Sequence, residues 1–318
     1  MRRHILLQLR QDKWGFRMDQ ECGRYAPEAS SRRQLIDLRL AEIASGFGKT
    51  SSGLGQAMGD ATLAPGKRFR GILLLMAGEA TGGVGTALID VACAIELAHT
   101  ASLIFDDLPC MDDARIRRGR ATTHVAFGQS RAILAGIALV TESLRLASEA
   151  RDTDAGTRVR LTGILATALG PCGLCAGQDF DLHEEKTATG VEREQDLKTG
   201  SLFAAGFEML GCVQRLDPTE TQALVKAGRA LGRAFQCYDD LLDVQAEAGH
   251  LGKDTGRDTT APGPARGMLA VRSLLRAAAH YDTLRSEFDV ILAGCPFETR
   301  PLADHIARVL PVSASLRA

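Results

Sequence analysis

The chain has 318 residues, and its 38 Lys and Arg nearly cancel its 39 Asp and Glu, for a formal net charge of −1. That balance argues against a general nucleic-acid binder, which needs a basic excess to track phosphates. Hydrophobic residues at 45% and charged residues at 24% argue against disorder over most of the chain. Aromatic residues reach only 5%, and a core of Leu, Ala and Val with few β-branched runs favours helices.

In chain order, residues 1–28 show no sustained periodicity and read as a poorly ordered N-terminal extension, with Met18 as a second candidate start. Residues 29–318 read as one all-α domain, a large helical bundle. Leu35, Ile36, Leu38, Leu40 and Ile43 recur at helical spacing. A Gly/Ser/Thr-rich connection over 46–66 follows. Apolar helical stretches are then expected over 72–76, 86–105, 132–150, 158–169, 202–212, 220–244, 270–288 and 302–310. Period-2 alternation and Asn-Gly-type hairpin turns are missing from the sequence. The longest apolar run, Ala132 to Val140, is half the length a bilayer span needs. The N-terminus shows no small-residue cleavage site, and eight scattered cysteines lack the density of a disulfide scaffold. The expectation is a cytoplasmic protein with reduced thiols and no stable membrane insertion.

Two acidic clusters interrupt the apolar pattern. Asp106, Asp107, Asp112 and Asp113 follow the apolar stretch CAIELAHTASLIF, and Asp239, Asp240 and Asp243 lie inside a second apolar stretch with Gln236 one turn before them. Asp106 and Asp112 are six residues apart, which a regular helix does not bring together; Pro109 between them is expected to kink the helix and re-aim the later carboxylate. Clustered carboxylates repel unless positive charge sits between them. Two solvated helix ends is the bland reading. A Mg²⁺ site completed by substrate phosphates is the sharper one, since both clusters lie on apolar stretches.

Basic residues stand near both clusters. Lys67, Arg68 and Arg70 form a compact group, Arg115, Arg117, Arg118 and Arg120 follow the first cluster, and Lys253 follows the second. Lys198, Thr199 and Gly200 occupy an expected helix start, where free backbone amides favour anions. Together these residues supply counter-charge for two anionic headgroups. The lone Cys172–Cys175 pair reads as two small helix residues rather than a zinc or redox motif. His124 and His183 read as hydrogen-bonded wall or surface residues.

The segments GKRFR, HTASLIFDDLPCMDD, RRGRATTH, GQDFDLHE, KTGSLF, FQCYDDLLD and GKDTGRD follow one another in this order. Over roughly residues 30–290 the chain resembles the trans-polyprenyl diphosphate synthases, most closely the bacterial geranylgeranyl diphosphate synthases of carotenoid pathways. The resemblance implies an all-α prenyltransferase with a deep central cavity, usually a homodimer. It implies two or three Mg²⁺ ions held by Asp106 and Asp112 on one wall, with Asp107 in support, and by Asp239, with Asp240 and Asp243, on the other. An allylic diphosphate would contact the ions together with Arg117, Lys198, Thr199 and Gln236, and Lys253 at a closing loop. Isopentenyl diphosphate would be held by Lys67, Arg70, His99 and Arg118.

The implied reaction ionises the allylic C–O bond, adds the cation to the double bond of isopentenyl diphosphate, and passes the lost proton to the released diphosphate. Small Ala101 and Ser102 beneath Asp106 resemble the C20-forming class; farnesyl diphosphate synthase is the alternative. Three departures from the family pattern stand out: Pro262 and Gly263 where a Gly-Lys pair is usual, with Arg266 as a substitute cation; Ala121 where proline is usual; and the first ~28 residues, which have no counterpart in the resemblance. A terpene cyclase would not need the second basic group and favours aromatic walls. A non-catalytic subunit would lose one Asp cluster.

Overall fold

In the computed structural model the described residues are 27–49, 52–185, 187–251 and 273–313, with side chains described from Ser31 onward and not over 243–251. The thirteen α-helices among them are α1 (Pro27–Ala44), α2 (Ser52–Leu63), α3 (Phe69–Thr81), α4 (Thr86–Asp106), α5 (Thr123–Phe127), α6 (Gln129–Ser148), α7 (Ala155–Leu169), α8 (Leu174–His183), α9 (Ala188–Gln195), α10 (Ser201–Gln214), α11 (Pro218–Leu251), α12 (Leu274–Ala293) and α13 (Arg300–Val309). The fold is all-α, as expected. One apolar cluster extends from Ile36 on α1 to Leu310 beyond α13.

Helix α4 is its axis. It packs most closely on α6 and also touches α1, α2, α3 and α10. It is long and apolar enough to cross a membrane, yet 72% of its most apolar stretch is buried by its own neighbours. Its buried polar groups are matched. Asp90, fully buried, accepts from Arg39 at 2.8 Å and from Arg151 at 2.8 Å, the paired arrangement a buried carboxylate requires.

Several expectations are corrected by packing. The connection expected over 46–66 contains α2, whose Gly55, Ala57 and Met58 are buried; small residues there serve close helix contact rather than a linker. On α1 the spacing Ile36, Leu40, Ile43 faces the core, whereas Leu35 and Leu38 are exposed. Helix α8 contains Cys175, expected on a helix, and extends to His183, while α9 lies where no helix was expected. In α9 the sequence is polar and its apolar anchor is the single Val191, fully buried. A hairpin of two-residue strands, β1 (Ile116–Arg117) and β2 (Arg120–Ala121), closes through Arg118 at φ 53° and Gly119 at φ 73°. Two consecutive positive φ values make the turn type that matches strand twist, with arginine in place of the usual asparagine.

Two local departures from regular helix place the chemistry-bearing residues. First, α4 does not kink at Pro109; it ends at Asp106 because the chain turns back, with the Asp112 amide donating to the Asp106 carbonyl at 2.9 Å and Asp113 at φ 50°. The turn, not a bent helix, brings the two carboxylates together. Second, Lys198 does not begin a helix. Residues Asp196–Gly200 form one π turn that joins α9 to α10 without a break, so no free helix N-terminus exists there; the wider turn instead pushes Lys198 and Thr199 sideways.

Helix α11 lies against this turn because two glycines meet. A Cβ on Gly232 would come within 2.4 Å of the Gly200 Cα. We expect Gly232→Ala to force α11 off the π turn and to lower stability by ~1–3 kcal/mol in chemical denaturation, as overpacking does; an unchanged midpoint would show that the contact is not tight.

Candidate active site

A cavity of about 660 Å³ opens between α3, α4, α8, the hairpin, the π turn and α11. Its lining includes Lys67, Arg70, His99, Ser102, Asp106, Arg117, Arg118, Lys198, Thr199, Gln236 and Asp239. Residues from Arg33 on α1 to Asp239 on α11 thus share one wall system. The remaining sequence-selected residues sit differently. Asp107 is buried behind Arg117, Asp112 stands exposed at the rim, and Asp240 lies beside the lining. Lys253 and the segment after Asp258 are outside the described residues, as are residues 1–26 and the side chain of Asp243. Ala101 is fully buried and outside the lining, because five residues from Asp106 is about 140° around a helix. Ser102 lines the cavity, as does Leu103.

The acidic wall is built on opposing charges. Burial chiefly, and then the neighbouring Asp112 and Asp107, push the Asp106 carboxyl up to about 6 against the pull of Lys198 and Arg117. Arg117 donates to Asp107 at 2.8 Å. Burial works to lower the Lys198 ammonium, but Asp106, Asp181 and Asp112 outweigh it and hold it above its ordinary value. Its Nζ donates to Asp181 at 2.6 Å. Sequence reasoning passed over Asp181; the signal was its place in GQDFDLHE, seventeen residues before Lys198 on α8.

On the α11 side, Thr199 donates to the Gln236 Oε1 at 2.9 Å, and Gln236 donates through its Nε2 to Asp240 at 3.3 Å. Gln195, fully buried on α9 and also passed over, donates to the other Asp240 oxygen at 3.2 Å. Two amides therefore orient Asp240, while Asp239 lines the cavity.

The basic wall is the opposite end. Burial and the nearby Arg70, Arg118, Arg117 and Arg68 push His99 well below the usual imidazole value, so it stands neutral. Burial lowers Arg70 to about 10 against Glu96 and Asp239, which favour its charge. Its guanidinium lies 4.6 Å from the centre of the Phe203 ring. Phe69 stacks on Phe235 at 5.4 Å, and both line the cavity. Phe69, Phe203 and Phe235 thus form an aromatic group at this end. Arg118 donates to the Pro65 carbonyl at 3.2 Å, tying the hairpin to the Lys67–Arg70 segment.

No three acidic, His or Cys side chains converge to a closed metal shell among the described residues. Asp106 and Asp239 offer oxygens from two walls of an open cavity, a donor set that fits Mg²⁺ because that ion keeps waters and takes phosphate oxygens to complete its octahedron.

The model of the family described as polyprenyl synthetase matches residues 52–266. The chain belongs to that family. A geranylgeranyl diphosphate synthase of Pseudescherichia vulneris is 38% identical over 240 residues, covering 73% of this chain and 77% of the relative. A farnesyl diphosphate synthase of Geobacillus stearothermophilus is 40% identical over 210 residues, covering 64% and 71%. The crystal structure of an FPP/GFPP synthase from Zymomonas mobilis superposes with a TM-score of 0.75 at 30% identity, covering 89% of this chain and 97% of that one. The family model spans both the first acidic cluster and the second, along with the π turn between them.

The density of cations around one cavity predicts anion binding. Calorimetric titration of the protein with inorganic diphosphate is expected to show binding that Lys198→Gln and Arg118→Gln each weaken ~10-fold, the scale of one charge-assisted contact. Equal affinity in wild type and both variants would show that the cavity is not the anion site.

Proposed function

We propose that this polyprenyl synthetase is a Mg²⁺-dependent prenyltransferase that condenses isopentenyl diphosphate with an allylic diphosphate (dimethylallyl, geranyl or farnesyl), makes geranylgeranyl diphosphate and releases diphosphate. One observation carries the reading: a single cavity presents carboxylates on the α4 and α11 walls and a separate basic group on α3 and the hairpin. That is what two diphosphate headgroups need, one held through metal and one through cations alone. The same basic group, Lys67, Arg70, His99 and Arg118, argues against a cyclase with a single diphosphate.

Two or three Mg²⁺ ions bound at Asp106, Asp112 and Asp239 would neutralise the charge of the departing allylic diphosphate. Arg117, Lys198, Thr199 and Gln236 hold that headgroup from the protein side, with Lys198 charged throughout the working pH range because its folded value is raised. Lys67, Arg70 and Arg118 hold isopentenyl diphosphate, and His99, being neutral, adds a hydrogen-bond donor without further crowding of positive charge. Holding the two hydrocarbon tails side by side makes the bond-forming step effectively unimolecular. The apolar side chains of Phe69, Leu103, Leu174 and Phe235 in the lining keep water from the cationic carbon. The released diphosphate accepts the proton.

Ser102 sets the depth available below Asp106, and its small side chain suits the C20 product; the resemblance to a farnesyl diphosphate synthase keeps the C15 product as the second reading. A homodimer is supported by the apolar face of α6, where Ile133, Leu134 and Ile137 are exposed, and by the span Ala155–His183, whose most apolar stretch is only 22% buried. Residues 29–318 would act as one catalytic domain. Cys93, Cys110, Cys172, Cys175, Cys212 and Cys295 are free thiols, in keeping with the cytoplasm as its compartment.

The test is to incubate purified protein with Mg²⁺, isopentenyl diphosphate and each allylic diphosphate in turn, and to size the products. A C20 product is expected, with Ser102→Phe shifting it toward C15. No elongation with any starter would refute the proposal, and an unaltered product from Ser102→Phe would refute the depth argument.

A further inference from the structure

One buried carboxylate on the cavity wall has no part in holding either substrate as described above. Glu96 lies on α4 three residues before His99 and ten before Asp106, so the three share one stripe of the helix. It is 4% exposed, and its Oε1 accepts the Gly71 N–H at 2.9 Å. Gly71 is the third residue of α3, so its amide is one of those that no turn of α3 can satisfy. The residue in the capping position, Arg68, stands at φ 49° and makes no side-chain capping bond. Its guanidinium donates instead to Asp37 at 2.9 Å and to the Thr62 carbonyl at 2.9 Å.

Helix α3 therefore takes its cap from another helix, 25 residues further along the chain. The approach depends on glycine. A Cβ at position 71 would lie 2.8 Å from the Ile36 Cδ1 and 3.3 Å from the Glu96 Cγ. Arg70, the residue beside this cap, has a buried Nε with no hydrogen-bond partner and lies over the Phe203 ring. The Arg70 Nε makes no hydrogen bond that would hold it among the described residues; its place is set by the backbone of the first turn of α3, by the Phe203 ring and by the charges of Glu96 and Asp239.

We propose that Glu96 is a positioning residue for isopentenyl diphosphate: by capping Gly71 it pins the first turn of α3 and so fixes where Lys67 and Arg70 present their charges. The proposal rests on the condensation reading above. A carboxylate that merely joined α3 to α4 would affect stability alone, whereas a positioning carboxylate affects one substrate more than the other.

Steady-state kinetics with each substrate varied against saturating levels of the other separate the two roles. Glu96→Ala removes both the acceptor and the charge, and is expected to raise KM for isopentenyl diphosphate ~10-fold while KM for the allylic diphosphate stays within about twofold, the scale of one lost buried charged hydrogen bond. Glu96→Gln keeps an acceptor oxygen in place and is expected to restore KM for isopentenyl diphosphate to within about threefold of wild type. Gly71→Ala leaves Glu96 intact but obstructs its approach, and is expected to reproduce the selective rise; it carries the test if Glu96→Ala does not fold. Equal rises in both KM values, a lowered Tm with both KM values unchanged, or a Glu96→Gln enzyme as impaired as Glu96→Ala would each overturn the proposal. A wild-type enzyme that elongates no starter would instead refute the condensation reading, and this proposal with it.

Discussion

Negative charge at the C-terminal end of α4 is the constraint around which the rest of the molecule is arranged. Asp106 and Asp107 stand where the helix dipole itself opposes anions, and Asp112 is folded back beside them. Each of these influences disfavours ionisation, and burial adds to them, so Asp106 sits well above an ordinary carboxylate. Such an arrangement persists only if cations from elsewhere share the space. Arg117 reaches in from the hairpin to Asp107, and Lys198 from the π turn answers Asp106, Asp112 and Asp181. The same crowding makes the end of α4 a strong attractor for a divalent ion, because a metal relieves the repulsion that the protein tolerates.

The residues that gather around the end of α4 are placed by departures from regular helix. The chain after α4 turns back on itself, the hairpin carries Arg118 and Gly119 at positive φ, and a π turn interrupts the helical run from α9 to α10. A straight helix presents a residue to a neighbour only at its own spacing; a widened or reversed turn re-aims one side chain without moving the core behind it. The core behind α4 is small-residue packing, with Ala92, Ala94, Ala98 and Ala101 fully buried. This explains why Ala101, placed beside the substrate by its spacing from Asp106, belongs to the core, while Ser102 faces the cavity.

Much of the site was legible because its residues come in dense local clusters. Lys67 and Arg70, Asp106 and Asp112, Lys198 and Thr199, and Gln236 and Asp239 each lie within a few residues of one another, and all line or rim one cavity. What stayed hidden were single polar residues whose meaning depends on a distant partner. Gln195 and Glu96 carry no local signature, and the GQDFDLHE segment does not show which partner Asp181 has; each is defined by the Asp240, Gly71 or Lys198 group that the fold brings to it. Helices α2 and α9 were hidden for a related reason, since their glycine-rich or polar sequences become helical through contacts made by Ala57, Met58 and Val191.

The sequence by itself determined the all-α class and the family, because apolar periodicity and clustered charges are properties of neighbouring residues. It also named the carboxylates and cations that meet in the cavity. Only the tertiary structure decided how they meet: that Asp112 returns by a turn rather than a kink, that Lys198 stands on a π turn rather than a helix start, and that α3 is capped from α4. Those outcomes follow from packing between segments far apart in the chain, where the energy of a contact belongs to neither segment alone.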